Sequence, residues 1–398
     1  MHDALFEPVA LGRLTLPNRF VRAGTAETMA ADDGRATPQL AALYGRLASH
    51  GVGLIFTGHM FVHPRGRGTN HQTGIHEDGM VGGLTTVADA VHQHGGRIFA
   101  QLGHAGAQSK VVDDLLSPST EPNPLTGRVA QREASEAEVE EAVAAFGFAA
   151  RRAVDAGFDG IHIHGANGYL ISAFSSPRTN RRQDGWGGGV EERGRLAREV
   201  VSAVKAAVPT GFPVSMKLGF WDATPGGVDL DEAAARAAEL AGLGLEAVEV
   251  SSNLIAGAED SARRFVGVDQ TRALADLIFQ KVERSPEAYF LRYAEALKDK
   301  APEVKTILVG GIRSLPVMSA LVSSETVDLL SMSRPFIRQP DFVERLRTGR
   351  AVSAACTSCN LCYVHSPNYS LRCWRKPRRN LVHAAALRIR KRVGTKRS

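Results

Sequence analysis

Short apolar runs alternate with longer amphipathic stretches along most of this 398-residue chain. Phe20 to Ala23, GVGLIFTGH, RIFAQLGHAG, Phe158 to Ile163, FPVSMKLGF, Glu246 to Ser251, Ile307 to Val309 and Leu329 to Met332 read as strands. Between them, Pro38 to His50, Gly79 to His94, Glu136 to Ala156, Val190 to Val208 and Leu230 to Leu243 read as helices. Strand and helix in alternation are the signature of a parallel sheet covered by helices. Leu5 to Arg19 carries turn residues and short apolar pairs and is expected to lie as a lid under the sheet. Two stretches break the rhythm, a polar loop from Ala105 to Ser135 and an excursion from Ser252 to Ser285. Both are too long for simple connectors, so each is expected to border a pocket.

The densest polar turn follows the fourth strand, in GFDGIHIHGANGYLISAFSSPRTNRRQDGWGG, residues 157–188. Period two puts Ile161 and Ile163 on one side of that strand and His162 and His164 on the other. His164 ends the strand, with Asn167 and Tyr169 just beyond. At the C-terminal end of a parallel barrel strand, where loops build active sites, this trio reads as catalytic. His164 and Asn167 can both donate to one carbonyl or nitro oxygen as negative charge develops on it. Tyr169 can then act as general acid toward carbon, while a hydride must come from elsewhere. The competing reading makes His162 and His164 satisfied core histidines.

HGANGYL, SSPRTNRRQDGWGG and VEERGRLAREV closely resemble the signature of the old yellow enzyme family of FMN-dependent NAD(P)H oxidoreductases, and the resemblance runs through most of the chain. It implies a TIM (β/α)8 barrel carrying FMN, which NAD(P)H reduces and an activated alkene, such as an α,β-unsaturated carbonyl compound, oxidises. His164, Asn167 and Tyr169 match the family's substrate-binding pair and proton donor. Arg182 and Arg193 match a structural part of the motif and are assigned no chemistry. Ala23, Gly24 and Thr25 correspond to the turn that approaches the flavin, although Ala26 stands where a side chain able to tune the flavin is common. Gln101 offers a donor and an acceptor to the flavin's uracil-like edge. Ala107 replaces a basic residue expected after His104. Lys217 should face the interior, either stabilising charge on the reduced flavin or pairing with a barrel acid such as Glu249. Phosphate is expected after the last two strands, at Gly310 and Gly311 ahead of a helix starting near Leu315, and at Ser333 and Arg334.

Residues 1–350 are thus expected to form the FMN-binding barrel and residues 351–398 a C-terminal extension. All four cysteines lie in that extension: Cys356, Cys359, Cys362 and Cys373, spaced C-x2-C-x2-C-x10-C. Such thiols suit a 4Fe-4S cluster or zinc, and the motif resembles those of trimethylamine dehydrogenase and 2,4-dienoyl-CoA reductase. The net charge of +6 hides an uneven distribution. Arg375 to Ser398 holds ten Lys or Arg and no acid, which leaves the remainder at −4. The tail is expected to be solvated, with nucleic acid not an expected partner. No apolar run approaches membrane-spanning length and the N-terminus carries no pattern of a secretion signal, so a cytoplasmic protein acting on a small molecule is expected. A homo-oligomer and an external electron-transfer partner stay open. So do two other readings, a metal-dependent amidohydrolase-like barrel and a non-catalytic flavin-binding protein.

Overall fold

The computed structural model describes residues 3–222, 225–254, 286–365 and 369–376. Eight strands form the barrel: β1 (Phe20–Arg22), β2 (Leu54–Phe56), β3 (Arg97–Gly103), β4 (Gly160–Gly165), β5 (Val214–Gly219), β6 (Ala247–Ser251), β7 (Lys305–Val309) and β8 (Leu329–Met332). Each pairs in parallel with the next. β8 then pairs with β1, Leu330 lying opposite Phe20 and Met332 opposite Arg22. This pairing closes the sheet and confirms the TIM barrel expected from the alternating pattern. A two-residue strand, Met60–Phe61, adds to the end of β3.

The connecting helices are α1 (Pro38–Ser49), α2 (Val81–His92), α3 (Glu136–Asp155), α4 (Val190–Ala207), α5 (Leu230–Gly242), α6 (Leu291–Lys300) and α7 (Leu315–Ser323). Their starts are written locally. Thr37 caps α1 by accepting from the Leu40 N–H, with Pro38 at the first helical position. Ser135 and Glu138 form a reciprocal capping box at the start of α3. α6 was not anticipated. Only Tyr293, Ala294 and Leu297 are buried in it, too few apolar positions to establish a period.

The barrel interior has two different halves. Its lower half is apolar, with Val21, Leu54, Phe56, Phe99, Ala247, Ile307 and Leu329 packed together. The hairpin Val9–Leu11 and Leu14–Leu16 closes this end by inserting Leu11 and Leu16, so the expected lid is present. Higher up the interior becomes polar: His162, Ser215, Lys217, Glu249 and Ser331 are all buried. Buried polar groups survive only when paired, so this upper layer must be a bonded network. Ile161 and Ile163 face outward into the larger core between sheet and helices.

The 105–135 loop packs on the turn after β4. The buried Arg182 guanidinium donates to the Ala134 carbonyl at 2.6 Å and pairs with Asp184. Arg193 donates to the Ser175 and Gly188 carbonyls and to Glu232. Both arginines are therefore structural ties. Beyond the barrel, the Ala354 N–H donates to the Arg313 carbonyl and the Leu371 N–H to the Glu27 carbonyl. The extension thus turns back across the end of the barrel where the strands finish. The basic tail from residue 377 and residues 255–285 of the excursion lie outside the described residues. Among the described residues, no helix is long and apolar enough to cross a membrane.

Candidate active site

His164, Tyr169 and His59 meet at the C-terminal end of the barrel. The His164 and Tyr169 rings lie 4.6 Å apart, and His59, from the loop after β2, lies 4.7 Å from Tyr169 and 5.5 Å from His164. The sequence reading passed over His59, whose only signal was its place just past the second strand. Gln72 sets the orientation of the His59 ring. Its Oε1 accepts from the Gly68 N–H, so its Nε2 is the donor to His59 Nδ1 at 2.8 Å. The His59 proton therefore sits on Nε2. His164 Nδ1 is buried without a partner.

Burial pushes His59 down to about 4 and His164 well below the usual imidazole range, with the proximity of His59, Lys217 and His162 adding to the effect at His164. Burial, then the nearby Tyr363, raises Tyr169 above the usual phenol range. All three rings are consequently neutral near pH 7, able to donate hydrogen bonds and a proton without placing a charge in the site.

Asn167 stands in the left-handed region at φ +61°, a conformation Asn tolerates better than most residues. Its N–H donates to the Ser252 carbonyl and its Oδ1 accepts from Ser251 Oγ at 3.3 Å. Gln108 Nε2 donates to the Asn167 carbonyl. These ties lean Asn167 toward the end of β6.

Beneath the site runs the polar network. Lys217, in register beside His164 on β4, places Nζ 2.6 Å from Glu249 Oε2. Glu249 also accepts from Ser331 Oγ at 2.6 Å and contacts His162 Nε2 at 3.1 Å. Burial alone would raise the Glu249 carboxyl, but Lys217 and the His162 bond outweigh it and hold it below the carboxylate range. His162 stays neutral because its burial outweighs the pull of Glu249. With Glu249 ionised, the His162 proton belongs on Nε2, and Nδ1 accepts from Ser215 Oγ at 2.8 Å. The structure thus realises the alternative weighed from sequence: Lys217 is half of a buried ion pair. His162 is the satisfied core histidine, stacked on Phe56 at 3.8 Å.

A second group of residues frames a surface beside the three rings. Gly24 lets the Gln101 side chain lie directly on the backbone, since a Cβ at Gly24 would fall 2.4 Å from Gln101 Oε1. Gln101 Nε2 is buried with no partner. Thr25 follows, its hydroxyl 2.8 Å from that of Ser333, which joins the turn after β1 to the loop after β8. Between the ends of β7 and β8 lies a cavity of about 100 Å³, lined among others by Gly310, Gly311, Ser333, Arg334, Tyr289 and Cys356. Gly310 and Gly311 have φ of +120° and +76°, and any Cβ there would strike Tyr289. These two must be glycine.

One expectation needs correcting. The N–H groups of Arg313 and Ser314, ahead of α7, both donate to Glu287 Oε2 at 2.9 Å, and the Leu315 N–H donates to the Val352 carbonyl. The helix start that should receive an anion is filled by the protein's own acceptors. The glycine turn, Ser333 and Arg334 remain to receive one. Ala107, in place of a basic residue, packs with Leu115 and Ala130 in a small apolar cluster.

None of the four cysteines is joined in a disulfide. Burial pushes Cys362 up to about 12 and also raises Cys356. Arg338 lies 3.5 Å from Cys373 Sγ. Among the described residues no group of three or more His, Cys, Asp or Glu is arranged to hold a metal. The arrangement therefore gives no support to a 4Fe-4S cluster or zinc, and no chemistry is derived through either.

A partnerless buried amide at Gln101, a glycine surface at Gly24 and a cationic cavity after the last two strands fit a planar cofactor with a uracil-like edge and a phosphate. Fold and site together define an α/β barrel whose open end has the chemistry to hold such a cofactor. The sequence profile of the NADH:flavin oxidoreductase / NADH oxidase family matches residues 4–353, and the chain belongs to that family. It is similar to an NADH oxidase of Thermoanaerobacter brockii, 32% identical over 94% of this chain and 56% of that protein. It is also similar to a 4,4'-dithiodibutanoate disulfide reductase of Rhodococcus erythropolis, 31% identical over 90% of this chain and 92% of that one. The solved old yellow enzyme homologue from Zymomonas mobilis superposes with a TM-score of 0.72 at 27% identity, covering 92% of this chain and 99% of that one. The chain thus spans little more than half of the first relative and nearly all of the other two.

Proposed function

We propose that this chain is an FMN-dependent NAD(P)H oxidoreductase that reduces the C=C bond of an activated alkene such as an α,β-unsaturated carbonyl compound. The observation that carries the reading is the meeting of His164 and Tyr169, 4.6 Å apart, over a barrel top whose Gln101 amide is buried and unsatisfied. Bound FMN would supply the hydride chemistry, with NAD(P)H as the source of the two electrons and the alkene as their acceptor. Gln101, with Gly24 behind it, would meet the flavin's uracil-like edge, and Ser333 and Arg334 would hold its phosphate. Lys217, in register beside His164 and paired with Glu249, would hold its ammonium in a fixed place beneath the cofactor.

His164 and Asn167 hold the substrate oxygen by hydrogen bonds that strengthen as charge builds on it. Because His164 is neutral, it polarises that oxygen without becoming a competing proton donor. Tyr169 keeps its proton at neutral pH and delivers it to the carbon adjacent to the carbonyl. The use of NAD(P)H as reductant is in keeping with the cytoplasmic location expected from the sequence. Acid precipitation of the purified protein should release FMN, and the holoprotein should oxidise NADH or NADPH in the presence of an enone with loss of the enone double bond. Release of FAD, absence of flavin after reconstitution, or nucleotide oxidation with the alkene recovered intact would sink the reading.

A further inference from the structure

No residue of the C-terminal cysteine segment is given a chemical step above, yet the segment forms a wall of the cavity assigned to phosphate. Cys356 and Ser358 line that cavity together with Gly310, Gly311, Ser333 and Arg334. Asn360 stands inside the motif, between Cys359 and Cys362. Its Oδ1 accepts from Arg334 Nη1 at 2.5 Å. Asn360 is buried, and its backbone is left-handed at φ +57°. That conformation suits Asn among side-chain-bearing residues and turns the amide back toward the barrel. An arginine reaching alone into a cavity spreads over many rotamers. One whose guanidinium is held at one nitrogen by a neutral acceptor keeps its full charge and its remaining N–H groups for a second ligand.

We infer that Asn360 is a positioning residue for the flavin phosphate: it aims Arg334 at the phosphate monoester of FMN, so that the cysteine segment completes the cofactor site. The inference rests on the FMN reading and adds to it a residue outside the barrel. A neutral amide suits the task. A carboxylate at this position would pair with Arg334 and remove the charge the phosphate needs. The segment is held in place for this purpose at both ends, by the Ala354 bond to Arg313 and the Leu371 bond to Glu27.

The test compares two flavins that differ only in the phosphate. Flavin-stripped protein is titrated with FMN and with riboflavin, following flavin fluorescence, for wild type and Asn360→Gly. Glycine removes the side chain and keeps the left-handed backbone accessible. FMN should bind about tenfold more weakly, the scale of one hydrogen bond to a charged group, while riboflavin binding stays unchanged. Equal weakening of both flavins, or an unchanged preference for FMN, overturns the inference. If the glycine variant does not fold, Asn360→Asp keeps the same backbone tolerance and should also lower the preference for FMN over riboflavin. Wild-type protein that binds neither flavin would instead refute the FMN reading itself, so the two failures are distinguishable.

Discussion

Replacing Glu249 by Gln leaves the Lys217 ammonium buried with no counter-charge while changing almost no volume. At 2.6 Å the pair interacts by ~6 kcal/mol at an effective dielectric constant of about 20. Part of that attraction only offsets the desolvation of two ions. The net penalty for removing one partner of such a buried pair is about 3–5 kcal/mol. For a barrel of roughly 350 residues, the unfolding entropy is about 0.7 kcal/mol per kelvin, so Tm should fall by about 4–7 °C. Differential scanning calorimetry on flavin-free protein reads this without contribution from ligand binding.

The pH dependence follows from the sign of the shift. The folded Glu249 carboxyl lies below its unfolded value of about 4.5, so its contribution is complete above that pH and is lost as pH falls toward the folded value. The deficit of Glu249→Gln should therefore be constant from pH 6 to 8 and shrink only in acid. Lys217→Met combined with Glu249→Gln removes both charges and should recover most of the lost stability, because a neutral pair leaves no buried ion. A Tm within about 1 °C of wild type for the single variant, or a double variant worse than the single by the full amount again, would refute the reasoning.

Two other outcomes concern the reacting rings and the pH response of the fold. Tyr169→Phe should leave flavin reduction by NAD(P)H nearly intact and slow reoxidation by an enone on the order of 10²-fold, with equal slowing of both half-reactions in stopped-flow traces marking Tyr169 as structural. His104 is buried with Nε2 unpartnered, and burial, aided by His63 and Arg65, pushes it down to about 3. A histidine whose folded value is depressed contributes stability that is complete above its unfolded value of about 6.5 and is lost as pH falls. His104→Gln should therefore flatten the acid decline of denaturant-measured stability by about 1.4 kcal/mol per pH unit between 6 and 4, and an unchanged decline counts against the assignment.

The sequence by itself determined the barrel, the residues at the end of β4 and the glycine turns, because each depends on local rules. Strand and helix periods and the glycine-rich turn at Gly310 and Gly311 are readable from neighbours in the chain. Tertiary structure decided the rest. His59 joined Tyr169 only when the loop after β2 folded over the barrel, 110 positions away in sequence. Whether Lys217 would be a lone cation or half of an ion pair depended on the register between β5 and β6, which sets Glu249 beside it. The start of α7 looked open to an anion until Glu287 closed on it from before α6. The cysteine segment came to line the cavity after β7 and β8 through long-range ties, Ala354 to Arg313 and Leu371 to Glu27, the latter on the loop after β1. Periodicity is a property of adjacent residues, whereas which charges meet in a closed barrel depends on how distant strands are paired, and no local pattern carries that information.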